Sequence, residues 1–505
     1  MTSWVVDRHN ASGTVPLLPP ADIAPDDPAW FNAVAHESAV AVVDSAISSA
    51  MTSPMNVTVV DRDGMHHQHV TLVDAPAGAG KTHLVTEVVR RAHAVGTRLL
   101  VVTPGNDQLG ELAVRTARTL GGASGAIGVL HRRGELGAVA GELRAAGVIV
   151  TSDADLLVHA DVVICTLHKL AVTRHHARSP KDLGTGDRPF GLAVVDEAYQ
   201  ASGPVFAAVA AACSRLLLVG DPGQLRPFSI DPYALELQGL AEDPTQSAAA
   251  MVIARFGNTI GHFRMPITRR LPAAAVPVAR LFYPDHNFEG WALPHTRLVD
   301  CSAVPANPFA RLVQTALVEG WCHLRLPADP SRDDADPEVS AAVADVAVGA
   351  VMGGHRLASE STGGQWSPLR ADRVAVLVAR NNQRHLVEAD LANRLEDADR
   401  PVVGTANSLQ GLEFDLVVVW YPLAGQSSFD DFRGDPARLA VMLTRHRHGC
   451  VVVGRTSDAD IFERDVPPLG ELNMAFVDPV TQGWLTHLAV LRQLAPYRID
   501  LPTQQ

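Results

Sequence analysis

The chain has 505 residues, 47% hydrophobic and 19% charged, a balance that builds packed cores, excludes long disorder and calls for two or three compact units. Its formal net charge of −13 is the wrong sign for coating nucleic acid by bulk electrostatics, so any grip on a polynucleotide has to be local. Five cysteines without a CxxC pair argue against a zinc ribbon, an iron–sulfur site or a disulfide framework and fit a reducing cytoplasm.

The opening stretch MTSWVVDRHN lacks the layout of a signal peptide, and no apolar run approaches the roughly 20 residues of a membrane span. Residues 1–28 close on a Pro/Asp-rich segment and read as a flexible lead-in. An α/β domain is expected over 29–262, with a small insertion around 104–160. Its strands are HVTLVDA, RLLVVTP, ADVVICT, FGLAVVDEA and RLLLVGD, each a short apolar run ending in a polar or turn residue. That is the pattern of parallel strands buried on both faces with a site at their C-terminal ends. A second α/β domain is expected over 263–460, from DRVAVLVARNN, RPVVGTANS, FDLVVVWYP and HGCVVVGR, with an insertion around 290–370. Within that insertion the region 300–330 fits no clear pattern, and an acidic segment and a Gly/Ser stretch read as solvent loops with a helix between them. Residues 461–505 read as a C-terminal extension.

The run HVTLVDA leads into Ala75, Pro76, Ala77, Gly78, Ala79, Gly80, Lys81 and Thr82, followed by a helical stretch. The spacing is [AG]-x-x-x-x-G-K-T between a strand and a helix, the context this phosphate-binding motif demands. Glycines let backbone N–H groups curl around phosphate oxygens, the helix N-terminus adds its dipole, Lys81 neutralises β- and γ-phosphates, and Thr82 ligates Mg²⁺. The run FGLAVVDEA supplies the complement: Asp196 for the metal shell and Glu197 to orient and deprotonate the attacking water.

From here the chain resembles superfamily 1 helicases, in the branch of the nonsense-mediated-decay helicase. Several motifs follow in the family's order over roughly 70–455: TPGNDQLGEL, ADVVICTLHKL, VVDEAYQAS, VGDPGQLRP, TRRLP with Phe282 and Tyr283 at the family's spacing, TANSLQGLEFDLVVV and RLAVMLTRHR. FRMP at 263–266 is a rival register for the fifth of these, but it breaks that spacing. The resemblance implies two RecA-like domains, each a mainly parallel sheet with helices on both faces, and a nucleotide site in the cleft between them. It implies that Gln224 senses the phosphate, that Arg269 and Arg445 meet it from the second domain, and that Glu413 faces the ribose. Arg270 and Arg447 read equally well as surface charges. Thr103, Pro104, Asn106, Thr166, Arg226, Thr405 and Ser408 occupy the positions that would touch a nucleic-acid backbone, positioning a strand without reading its sequence.

Two departures bear on the base. The family's adenine-reading glutamine has no counterpart, with His36 nearest to its place, and the aromatic residue before the arginine of TRRLP is Thr268. The expected cofactors are therefore ATP, or another nucleoside triphosphate, with Mg²⁺. The expected function is a nucleic-acid-dependent ATPase acting as a helicase or translocase on single-stranded DNA or RNA, 5′-to-3′ by inheritance from the branch. The alternative is an ATP-gated regulatory or scaffold subunit working with a partner protein such as a nuclease in a defence or repair complex. A P-loop kinase has no use for the DEAYQ–GDPGQ pair. The histidines at 66, 67 and 69 and at 175 and 176 have no partner at metal spacing and read as polar loop or edge faces. Trp321, Trp366 and Trp484 read as core packing or loop anchors before base-stacking residues.

Overall fold

The computed structural model describes residues 31–61, 64–122, 125–131, 136–171, 189–210, 212–225, 227, 246–293, 296–305, 307–329, 335–466 and 479–502. The lead-in over 1–28, Arg226 and the His175–His176 pair lie outside these residues. The chain divides into two units: Glu37–Pro266, and a second that takes Ile267 onward together with the residues up to His36.

Among the described residues the first unit carries nine strands: β1 (Val57–Asp61), β2 (Gly64–Asp74), β3 (Leu99–Thr103), β4 (Ile127–Leu130), β5 (Ile149–Thr151), β6 (Val162–Thr166), β7 (Leu192–Val195), β8 (Arg215–Gly220) and β9 (Gly261–Arg264). They lie in the order β1-β2-β8-β7-β3-β6-β4-β5, with β9 on β2, and apart from the antiparallel β1–β2 pair they run parallel. Every residue of β3, β6 and β7 is buried. Such strands cannot alternate polar and apolar side chains, which is why they read in the sequence as unbroken apolar runs. The helices α1 (Ala33–Thr52), α2 (Lys81–Ala94) and α3 (Asn106–Thr119) follow in chain order. Within the stretch around 104–160, β4 and β5 extend the sheet from β6. β9 pairs with β2 and belongs to the first unit, which runs to Pro266.

The second unit carries β10 (Ile267–Thr268), β11 (Glu289–Gly290), β12 (Leu298–Asp300), β13 (Trp321–Leu326), β14 (Arg356–Ala358), β15 (Ser367–Pro368), β16 (Val374–Val378), β17 (Val402–Thr405), β18 (Phe414–Trp420), β19 (His446–Arg455) and β20 (Arg498–Asp500). Its main sheet runs β17-β16-β18-β19-β13-β20, parallel throughout. The region the sequence left unplaced contributes β13 to this sheet, with Trp321, Cys322 and Leu324 buried. The helices on either side, Pro308–Glu319 and Pro337–Met352, both begin with proline after a side-chain cap, Asn307 and Asp336, the arrangement that satisfies the first orphan N–H groups. β10 and β11 form a two-stranded parallel sheet, and β12, β14 and β15 a small antiparallel one. Residues expected as a C-terminal extension are built into the unit: β20 pairs with β13, and the helix Pro479–Gln493 buries Val490 and Leu491. Among the described residues no helix is long and apolar enough to cross a membrane.

Candidate functional site

In the first unit the phosphate-loop residues span the turn between β2 and α2. Gly78 and Gly80 have φ of 76° and 97°, left-handed values that a side-chain-bearing residue rarely adopts. Gly80 caps α2 in that conformation, so the helix starts at Lys81 with its first N–H groups turned toward the loop. Ala75, Ala77 and Ala79 are buried, and Ala75 N–H donates to Gly220 C=O at 2.8 Å, tying the loop to the end of β8. The helix is anchored beneath by Leu84, Val85, Val88, Val89 and Ala92.

Around Lys81 four polar side chains converge. Its Nζ lies 3.4 Å from Glu197 Oε1 and 3.5 Å from Asp221 Oδ2. Asp221 is fully buried and accepts a 2.6 Å hydrogen bond from Gln224 Nε2 and another from Gly223 N–H. Asp196 follows β7 directly, and burial, with the charge of Glu197 next, pushes its pKa up to about 7. Glu197 is the one non-glycine among the described residues with positive φ, 52°, a sparsely populated conformation of the kind held at functional sites. Its Oε2 is buried with no hydrogen-bond partner among the described residues. The Lys81, Glu197 and Gln224 of the sequence reading thus stand together. Asp221 was passed over, although it is the acid of the same GDPGQ run.

A magnesium ion fits this donor set. Thr82 and Asp196 offer hard oxygens, and the raised Asp196 and the unpartnered Glu197 oxygen mark a shortage of positive charge. Two protein oxygens would leave the rest of such an ion's shell to phosphates and water.

The second unit holds Arg269, Glu413 and Arg445, each engaged with neighbours in that unit. The Arg269 guanidinium lies 5.4 Å over the Trp291 ring and 3.2 Å from His36 Nδ1, and burial lowers its pKa. Phe31 stacks on Trp291 with centroids 4.9 Å apart, and His36 meets Phe31 edge-on. Glu413, expected to face a ribose, has its carboxylate taken by Arg270 Nε at 3.0 Å and Arg447 Nη1 at 2.9 Å; burial alone would raise its pKa, but the two arginines hold it below the ordinary value. Arg447 continues to Glu360, which also holds Arg297. Arg270 and Arg447 are therefore part of an ion-pair network, which removes the surface-charge reading. Arg445 is fully buried and donates through Nε to Val441 C=O.

Of the expected nucleic-acid contacts, Thr103 and Thr166 sit side by side at the ends of β3 and β6. Both are buried, and the Thr103 hydroxyl donates to Gly105 C=O. Pro104 and Asn106 are half-exposed beside them. Thr405 and Ser408 fold into a turn closed by Thr405 N–H to Ser408 Oγ at 2.9 Å, with Ser408 exposed. Trp321 is wholly buried, and Trp484 packs on Phe462. His69 is buried against Thr71 and Pro54 C=O.

Two family models, each described as AAA domain, match residues 132–232 and 357–457. The ATP-dependent helicase NAM7 of Saccharomyces cerevisiae is 23% identical over 426 residues, which are 76% of this chain and 40% of that protein. The chain thus spans well under two thirds of that relative's length. Solved structures with likeness include the PRRSV helicase, at 13% identity and a TM-score of 0.37 over 90% of this chain and 58% of that one. The Arterivirus nonstructural protein 10 helicase in complex with DNA is another, at 12% and 0.37 over 79% of this chain and 71% of that one. The two AAA-domain matches and the likeness to NAM7 accord with the resemblance to superfamily 1 helicases carried by the ordered motifs.

Proposed function

We propose that this chain is a nucleic-acid-dependent ATPase that works as a helicase or single-strand translocase, 5′-to-3′. The observation that carries the reading is the convergence of Lys81, Glu197, Asp221 and Gln224 at the C-terminal ends of β7 and β8, beside the phosphate loop. A nucleotide's β- and γ-phosphates are stronger partners for the Lys81 ammonium than the two carboxylates that hold it. Drawing Lys81 onto the phosphates releases Glu197, whose free Oε2 is placed to take the proton of an attacking water. Gln224, held by Asp221, orients that water or the γ-phosphate. Thr82 and Asp196 would hold Mg²⁺, which would supply charge to offset the phosphoryl oxygens. Arg269 and Arg445 are the proposed arginines of the second unit, and Thr103, Pro104, Asn106, Thr166, Arg226, Thr405 and Ser408 the proposed backbone contacts to a DNA or RNA strand.

The test is the phosphate-release rate with ATP and Mg²⁺, with and without single-stranded DNA and RNA. Stimulation by either supports the motor; a rate indifferent to both removes it. One observation favours the alternative reading as an ATP-gated subunit with a partner such as a nuclease: Glu413, Arg270, Arg447 and Arg445 each hydrogen-bond within their own unit.

A further inference from the structure

Asp74, Tyr199 and His262 were no part of the site just described, yet they join two of its segments to β9. Asp74 is the last residue of β2, immediately before the phosphate loop, and its side chain is almost fully buried. Its Oδ1 accepts a 2.8 Å hydrogen bond from the Tyr199 hydroxyl, two residues beyond Glu197, and its Oδ2 lies 2.7 Å from His262 Nε2 on β9. Arg264, the other outward residue of β9, approaches the same oxygen at 3.9 Å. The backbone repeats the link, since Met265 N–H donates to Asp74 C=O at 2.8 Å. Tyr199 is pressed onto the end of β8: a Cβ on Gly220 would stand 2.8 Å from Tyr199 Cδ2 and 3.0 Å from Ala198 N, so only glycine permits the contact. A buried carboxylate is tolerated when each oxygen is hydrogen-bonded, and removing one partner strands the charge. β9 ends two residues before Pro266, where the first unit ends.

We infer that Asp74 is a positioning residue that, through Tyr199 and His262, ties the phosphate loop and the Glu197 turn to β9, the strand by which the chain leaves the first unit. When phosphates draw Lys81 from Glu197, the Glu197–Tyr199 turn shifts, and the shared carboxylate passes that shift to β9. The link rests on the motor reading for its purpose, but its physical content, a β9 that responds to nucleotide, does not.

The experiment uses the full chain with a nonhydrolysable ATP analogue and Mg²⁺, as wild type and as Tyr199→Phe, His262→Ala and His262→Gln. Backbone hydrogen exchange over 261–266 is read with and without the analogue, beside analogue affinity and basal and strand-stimulated turnover. In wild type the analogue changes exchange in β9. In Tyr199→Phe and His262→Ala that change is lost and stimulation falls about tenfold, with affinity and basal turnover kept, and His262→Gln, which retains a donor, restores both. A β9 indifferent to nucleotide in wild type overturns the inference, as does an unchanged response in the variants or a loss of affinity in parallel with it. Absence of stimulation in wild type alongside a responsive β9 overturns the motor reading alone.

Discussion

The Nζ of Lys81 sits 3.4 Å from Oε1 of Glu197, so the cation expected to grip phosphate and the acid expected to activate water are held together. Lys81→Ala should cost about 10²–10³ in turnover, the scale of removing one preorganised donor to transition-state charge. Glu197→Gln should lose at least ~10² in turnover as the general base disappears, while keeping nucleotide affinity. Steady-state phosphate release with a fluorescent-nucleotide titration separates the two, and a Glu197→Gln variant with full turnover removes Glu197 from the chemistry.

Asp221 competes for the same ammonium and also anchors Gln224. Asp221→Asn should therefore tighten nucleotide binding, because Lys81 is less engaged, and slow turnover by about tenfold, because Gln224 loses a charged acceptor. A Kd and kcat that fall together are the expected pair of changes; a weaker Kd contradicts the competition.

His36 stands nearest to the place of the family's adenine-reading glutamine, with Arg269 at one of its ring nitrogens. A ring so engaged does not offer the paired donor and acceptor of an amide, and discrimination by hydrogen bonding needs such a pair. ATP and GTP should be hydrolysed with kcat/KM values within about tenfold of each other. A strong preference for ATP would show that other groups read the base.

Stability should fall on acidification below neutrality. Burial pushes His323, His446 and His487 down to about 3 and His448 to about 4, whereas an unfolded histidine titrates near 6.5. Below that value the unfolded chain binds protons the folded chain refuses. The stability is thus complete above about pH 6.5 and is lost as pH falls toward about 3 for His323, His446 and His487 and about 4 for His448, at roughly 2 kcal/mol per residue by pH 5. Urea midpoints measured across this range should show His446→Gln lowering the proton uptake on unfolding by about one.

Asp336 caps the helix Pro337–Met352 and receives both Nε and Nη2 of Arg455, at 2.7 and 3.0 Å, with both side chains excluded from solvent. Asp336→Ala leaves a buried guanidinium with part of its charge uncompensated and should cost about 3–5 kcal/mol, read as a lower Tm. A shift within error would mean that Glu338, which also holds Arg455, suffices.

Much of this was legible before the coordinates. β3, β6 and β7 announce themselves because burial on both faces leaves no room for polar residues, Lys81 because it opens a helix after a glycine turn, and Asp196 and Glu197 because they follow an apolar strand. β13 was not, since His323 and Arg325 interrupt its apolar residues; β9 was missed because its four residues include Gly261, His262 and Arg264. The Asp74 cluster was invisible for another reason: its partners lie 125 and 188 residues away, and no local spacing encodes such a pair. The ion-pair network of Arg270, Arg297, Arg447, Glu360 and Glu413 escaped likewise.

The three residues of β20 also bear on what the edge of the second sheet offers to a neighbouring molecule. They cover the outer side of β13, a six-residue strand with most of its side chains buried. A short strand at a sheet margin offers few bare N–H and C=O groups to a neighbouring molecule, whereas an uncovered β13 would offer a long row of them. Clipping the chain after Gln493 should thus raise the tendency of the protein to self-associate at high concentration, even with every motif residue left in place.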